Sequence, residues 1–234
     1  MKRAERKIKE KFEEERNPSV IRPLNAAQKE YMRLIREKDV VVATGYAGTS
    51  KTFLPTSLAC DEFRNGNISQ IFLVRPNVSN SKSLGYFSGS LEEKSAVWLA
   101  PVLSIVNNRI GKGATEIAIK RGDIAFVPLE VIKGYSFENA WVIVDEAEDI
   151  TEEEAKKIIT RVGKNCKIIL AGDISQSELK DRSGLRKLIK LLEDHPELEN
   201  YAGHIDFNRP SDIVRSDVCR EFILAFNRDE KKGE

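Results

Sequence analysis

Val40-Val41-Val42-Ala43-Thr44-Gly45-Tyr46-Ala47-Gly48-Thr49-Ser50-Lys51-Thr52 is the stretch on which the reading of this chain turns. Its last eight residues fit the pattern GxxxxGK[ST], with Ser50 in place of the second glycine, and they follow an apolar run that reads as a buried strand. Such a loop curls its backbone N–H groups around phosphates at a helix N-terminus, where the helix dipole also favours negative charge. Gly45, Tyr46, Ala47, Gly48, Thr49, Ser50, Lys51 and Thr52 are therefore expected to hold a nucleoside triphosphate. Lys51 should reach the β- and γ-phosphates, and the Thr52 hydroxyl should bind Mg²⁺. The plain alternative is a glycine turn between a strand and a helix, with Lys51 solvated. Two departures from the pattern point to weakened nucleotide affinity. Ser50 brings a Cβ to a place where glycine permits unusual dihedrals and close approach to phosphate. Pro55 lies early in the following helix and removes a backbone donor, at a cost of up to about 3 kcal/mol if it is interior.

Outward from this loop, apolar runs near 39–44, 70–74, 123–128, 141–145 and 167–171 read as strands, and 25–37, 50–64, 91–109, 152–162 and 183–194 read as helices. Strands this apolar, alternating with helices, predict an α/β fold with a mainly parallel sheet covered on both faces. The span 77–122 is a long insertion between the second and third strands. Its polar start, 77–85, suits either a nucleic-acid-binding loop or an ordinary surface loop.

Trp141-Val142-Ile143-Val144-Asp145-Glu146 is an apolar strand ending in two carboxylates, which at the C-terminal edge of a parallel sheet face the ligand crevice. Asp145 is expected to hold Mg²⁺ and Glu146 to polarise the attacking water; the competing reading is an acidic helix start. Gln176, after the run Lys167-Ile168-Ile169-Leu170-Ala171, is a candidate for orienting that water, or a residue of a turn. Gln28 suits an adenine edge, yet Asn25 and Gln28 also have capping-box spacing, so Gln28 could serve only the helix start.

At 234 residues, 41% hydrophobic and 32% charged, the chain can bury one substantial core. Its organisation is expected to be a charged appendage at 1–17, one domain at 18–228 and a charged tail at 229–234. The appendage, with Glu13, Glu14 and Glu15 among its bases, suits a solvated helix or a nucleic-acid arm. A net charge of +1 means that a nucleic-acid partner must meet a local basic patch. Cys60, Cys166 and Cys219 lie outside any CxxC pattern, which argues for reduced thiols and a cytoplasmic protein, and against a structural zinc site. No signal sequence or membrane-length apolar stretch is read.

Several further motifs stand in order: Asn25-Ala26-Ala27-Gln28, the phosphate loop, Val74-Arg75-Pro76, Leu84-Gly85-Tyr86-Phe87, Gly89-Ser90-Leu91-Glu92-Glu93-Lys94, Lys133-Gly134, Val144-Asp145-Glu146-Ala147, Gly172-Asp173 with Gln176, Ser183-Gly184-Leu185 and Asp212-Ile213-Val214-Arg215. With them the chain resembles the PhoH-like, phosphate-starvation-inducible ATPase family from about Leu24 to Phe226. The resemblance implies a RecA-like P-loop NTPase fold, related to the first motor domain of superfamily 1 helicases. It also implies ATP and Mg²⁺ as cofactors, a suspected role in RNA remodelling or unwinding, and phage genomes as a frequent source, hence a host cytoplasm. Arg75 matches the family's Arg-Pro and is placed near the nucleotide or nucleic acid. Arg215 matches a late arginine that could stabilise transition-state charge, with an exposed ion pair as the alternative; Ser216 stands where the family usually has histidine. Some relatives carry a fused nuclease domain, which these 234 residues are not expected to accommodate beside the ATPase domain.

A motor needs two surfaces that move relative to each other, and one domain supplies only one. Self-association as a ring, a hexamer being favoured, would let Arg215 of one copy complete the site of the next. The expected activity is ATP hydrolysis coupled to remodelling of RNA or single-stranded DNA. The rival is a nucleotide-gated binding module with weak turnover that recruits a protein partner.

Overall fold

Continuous apolar strands are stable only where both faces of a sheet are covered, and the computed structural model of the chain meets that requirement. It describes residues 19–76, 91–177, 179 and 182–233. The loop at 77–85 and the appendage at 1–17 lie outside the described residues. In chain order the elements are α1 (Ala26–Glu37), β1 (Val40–Gly45), α2 (Phe53–Arg64), β2 (Gln70–Arg75), α3 (Leu91–Ile110), α4 (Lys112–Arg121), β3 (Ile124–Pro128), β4 (Ala140–Val144), α5 (Glu152–Ile159), β5 (Cys166–Ala171), α6 (Gly184–Asp194), β6 (Ala202–Phe207) and α7 (Asp217–Gly233). The strands form a six-stranded sheet in the order β3-β2-β4-β5-β1-β6, and every neighbouring pair is parallel. One strand, β5, separates the loop strand β1 from the carboxylate strand β4.

Period-two alternation divides strands β1 to β5 between two cores. Val41, Ala43, Ile71, Leu73, Ile143 and Ile169 face one layer, built on Tyr31 and Ile35 of α1, Leu54 and Ala59 of α2, Val102 and Val106 of α3 and Ala118 of α4. Val42, Phe72, Val74, Val142, Val144 and Leu170 face the other, with Ala155 and Ile158 of α5 and Leu185 and Leu188 of α6. Each fully buried aliphatic side chain stabilises this arrangement by roughly 1.5–3 kcal/mol. The α/β architecture expected from the sequence is thus the one observed.

The differences have local causes. β6 escapes an apolar-run reading because it lies at the sheet edge: Ile205 and Phe207 are buried while His204 and Asp206 face outward. The Thr44 hydroxyl of β1 donates to Asp206 Oδ1 at 2.8 Å and lies 2.8 Å from His204 Nε2. The end of the 77–122 insertion, beyond the expected helix, is a further helix, α4, flanked by Gly111 (φ +96°) and Gly122 (φ +77°), conformations that glycine adopts without strain. The C-terminal span read as a tail from 229 continues helix α7 to Gly233. Pro55 is the third residue of α2, in its first turn and short of the helix interior, so of the interior-proline cost only the missing N–H donor to the Lys51 carbonyl arises.

Candidate functional site

The loop after β1 turns through Gly45 (φ +107°), Gly48 (φ +74°) and Ser50 (φ +74°). Gly45 tolerates no side chain, since a Cβ would stand 2.4 Å from the Phe207 carbonyl oxygen; the next N–H, of Tyr46, donates to that oxygen at 3.0 Å. The Thr49 hydroxyl closes the loop on the Tyr46 carbonyl at 2.9 Å. Among the described residues, the backbone N–H groups of Ala47, Gly48, Ser50, Lys51 and Thr52 donate to no protein acceptor. They stand together at the N-terminus of α2, which is the donor set a phosphate chain requires. Lys51 Nζ lies 2.5 Å from the Gly45 carbonyl and 2.6 Å from that of Tyr46. Burial lowers the Lys51 pKa, and the charges of Asp173, Glu148, Glu146 and Asp145 oppose that shift.

Ser50 therefore holds the left-handed conformation for which the motif normally uses glycine, at an expected cost of about 1–2 kcal/mol. Contacts from α1 accompany it. Gln28, 1% exposed, donates from Nε2 to the Thr49 carbonyl and to Ser50 Oγ, each at 3.4 Å. Its Oε1 accepts from the Leu24 N–H at 2.9 Å, and its own N–H donates to Asn25 Oδ1 at 2.8 Å. The structure thus brings Gln28 to the phosphate loop and the helix start, with both ends of its amide engaged by protein, and not to an open face that an adenine could meet.

A second brace was not visible in the sequence. In the i→i−4 ladder of α2, Leu54 N–H donates to Ser50 O at 3.1 Å and Thr56 N–H to Thr52 O at 3.3 Å. Between them the Lys51 carbonyl would take its donor from residue 55, which is proline. The hydroxyl of fully buried Tyr31 fills that place, donating to Lys51 O at 2.9 Å.

Opposite the loop, Asp145 leaves the end of β4 with its N–H on the Val74 carbonyl at 2.9 Å, and Asp145 Oδ1 accepts from the Thr52 hydroxyl at 2.6 Å. Burial pushes the Asp145 carboxyl above its ordinary range, against the hydrogen bond from Thr52. A desolvated carboxylate beside a hydroxyl is an oxygen set suited to Mg²⁺, so the residues fit the ion the motif implies. A small cleft beside them is lined by Leu73, Val74, Arg75, Val102 and Ile143.

Glu146 takes the left-handed conformation (φ +53°), a strained backbone of the kind that gathers at functional sites. Its carboxylate pairs with Arg75 Nη2 at 2.9 Å. Arg75 accordingly sits on the candidate catalytic carboxylate. Glu148, which the sequence reading passed over, is 3% exposed and accepts the Asp173 N–H at 3.1 Å. Burial first, then a hydrogen bond with the Glu146 side chain, raises Glu148 to about 8. Gly172 makes room for it, since a Cβ there would stand 2.4 Å from Glu148 Oε2. The only sequence signal was a third acid in the run Asp145-Glu146-Ala147-Glu148. Gln176 is exposed and donates from Nε2 to Asp173 Oδ2 at 2.9 Å, so it joins the site through Asp173.

The remaining wall comes from the end of β6 and beyond. Val214 N–H donates to the Gly48 carbonyl at 3.0 Å, and Arg215 lies across Gly48 of the same chain. Asn25 Nδ2 donates to the Ser211 and Asp212 carbonyls at 3.2 and 3.3 Å, tying α1 to this wall. The structure thus assembles Gln28, the loop, Arg75, Asp145, Glu146 and Arg215 at one edge of the sheet.

A family model described as "PhoH-like protein" matches residues 20–227. A PhoH-like protein of Bacillus subtilis is 33% identical over 210 residues, which cover 89% of this chain and 64% of that one. Protein PhoH of Escherichia coli K12 is 31% identical over 216 residues, 91% of this chain and 60% of that protein. The chain thus spans under two thirds of the length of these curated relatives. Among solved structures, the SWI2/SNF2 ATPase core domain of Sulfolobus solfataricus aligns with a TM-score of 0.45 and 11% identity, over 80% of this chain and 44% of that one.

Proposed function

Since the chain belongs to the PhoH-like protein family, we propose that it binds ATP with Mg²⁺ at this sheet edge and couples hydrolysis to remodelling of RNA or single-stranded DNA. One observation carries the reading: Thr52 and Asp145, 93 residues apart, meet at 2.6 Å beside a loop whose N–H groups have no partner among the described residues.

In this reading the loop N–H groups and Lys51 bind the phosphates, and the α2 N-terminus adds its dipole. Mg²⁺, when bound by Thr52 and Asp145, supplies positive charge to the phosphate oxygens. Glu146 orients the attacking water and accepts its proton. Arg215 offsets charge that grows on the transferred phosphoryl group. Gln176, through Asp173, reports the state of that group to the loop after β5. A ring of copies, most simply a hexamer, provides the second surface that a moving motor requires. No helix among the described residues is long and apolar enough to cross a membrane. The proposed place of work is a cytoplasm, a phage host's if the gene is viral.

Phosphate release by the wild type and Glu146→Gln, with and without single-stranded RNA or DNA, tests this. The expected result is Mg²⁺-dependent turnover that nucleic acid stimulates and Glu146→Gln abolishes. Equal background rates would support the nucleotide-gated binding module, a reading favoured by the strained Ser50 in the cradle. Native mass measured with and without ATP tests the ring.

A further inference from the structure

Gly48 stands at the crest of the phosphate loop with φ +74°, and the space beside it is already filled. A Cβ built there would meet Arg215 Cγ at 2.7 Å, Nε at 3.3 Å and Cδ at 3.6 Å. The side chain of Arg215 therefore lies flat on its own chain's loop. Its backbone is fixed in that place, because the Val214 N–H holds the Gly48 carbonyl, the Tyr46 N–H holds Phe207 O, and Asn25 Nδ2 holds the carbonyls of Ser211 and Asp212. The wall at 207–215 and the loop are one construction within one chain.

Among the described residues Arg215 makes no hydrogen bond or ion pair, and the nearby acids in sequence are bound elsewhere: Asp212 Oδ2 accepts the Arg209 N–H at 3.0 Å, and Asp217 Oδ1 pairs with Arg220 Nη2 at 2.7 Å. The exposed ion pair left open by the sequence is therefore absent among the described residues. Among the described residues a cation without a partner rests beside N–H donors without one, and both call for the same anion.

We infer that Arg215 is a catalytic residue acting in cis, contacting the phosphates held by the loop of its own chain. This rests on the proposed triphosphate site and departs from the expectation that the arginine is lent to a neighbouring copy. Each site then carries its complete set of charges, and oligomerisation serves movement and not completion of the active site. Gly48 is glycine for two reasons, its backbone angle and the passage of Arg215 above it.

The test mixes two inactive variants, Lys51→Ala and Arg215→Ala, after each has been shown by melting to be folded. Calorimetry with ATP·Mg²⁺ and turnover of the wild type come first; failure there sinks the triphosphate site itself, whatever Arg215 does. Given a working wild type, Arg215→Ala should lower kcat by on the order of 10³-fold with ATP affinity changed less than about 10-fold. Mixed with Lys51→Ala under conditions where subunits exchange, it should regain nothing, and wild-type turnover per subunit should not rise with protein concentration. Recovery of activity in the mixture overturns the cis assignment, because an intact Arg215 on the Lys51→Ala copy would then be completing its neighbour's site. A kcat unchanged by Arg215→Ala overturns any catalytic role.

Discussion

Replacing Tyr31 by Phe tests whether the phosphate loop is held from behind. The hydroxyl is the donor found on the Lys51 carbonyl, which has no helical partner because residue 55 is proline. Removing it leaves a partly buried acceptor without its donor, a change expected to cost about 1 kcal/mol. For a chain of this size that corresponds to roughly 2–4 °C in Tm for each kcal/mol. The argument becomes specific in the Pro55→Ala background. There residue 55 regains an N–H aimed along the ladder at Lys51 O, and Tyr31→Phe should cost about 1 kcal/mol less than it does beside Pro55. Pro55→Ala by itself is uninformative, since loss of proline also loosens the unfolded chain by about 0.4–1 kcal/mol; the coupling in the cycle cancels that contribution. The assay is equilibrium denaturation of the four proteins, with ATP affinity as a second readout. Equal costs of Tyr31→Phe in the two backgrounds, within about 0.5 kcal/mol, would refute the claim that the hydroxyl replaces the missing helical donor.

Ser50→Gly removes the strain of φ +74° at the expense of a long hydrogen bond from Gln28, so Tm should rise by a few degrees, from a net gain of about 0.5–1 kcal/mol, and ATP should bind more tightly; a lower Tm in thermal melts would show that the Gln28 bond outweighs the strain. Arg75→Ala frees Glu146 from its ion pair, and turnover without nucleic acid should increase while stimulation by single-stranded RNA shrinks; a fall in the unstimulated rate would show that Arg75 positions the carboxylate instead. Glu148, raised from 4.5 to about 8, keeps a proton in the folded protein that the unfolded chain releases above its ordinary pKa. Its contribution to stability is complete below about pH 4.5 and is lost as pH rises through about 8. Melts across that range should show wild type losing stability relative to Glu148→Gln, whose amide does not titrate; parallel curves would place the proton elsewhere.

What the sequence displayed and what it hid separate along a physical line. β1 to β5 were legible because a strand buried on both faces must be apolar at every position, and Val40-Val41-Val42-Ala43 can hardly be anything else. β6 was not, because its outward residues His204 and Asp206 interrupt the apolar run, although the inward Ile205 and Phe207 carry the period of two. α4 buries only Thr115 and Ala118 and so lacks a strong apolar stripe. The loop and the Asp145-Glu146 pair were legible because phosphate and metal chemistry restricts their residue types and their order. Glu148, Tyr31 and the direction of Arg215 were hidden for the opposite reason. Each acts through one distant partner, Asp173, Lys51 or Gly48, and such a pairing leaves no local pattern.

Those hidden contacts also explain how the loop keeps its shape without the second glycine. A loop that relied on its own residues would relax when Ser50 introduced a disfavoured backbone angle. This one is fixed from three directions: α1 grips it through Gln28 and Tyr31, the end of β6 and the wall beyond through Phe207 and Val214, and β4 through the Asp145 bond to Thr52. A single neutral hydrogen bond contributes only about 0.5–1.5 kcal/mol, so no one of these bonds need offset the strain, yet several acting together on adjoining residues can. The strain at Ser50 is then a property of the whole sheet edge and not of the motif. Weakening α1 or the 207–215 wall should disturb phosphate binding even where no atom of either touches the ligand, because the N–H donors point where those two elements hold them.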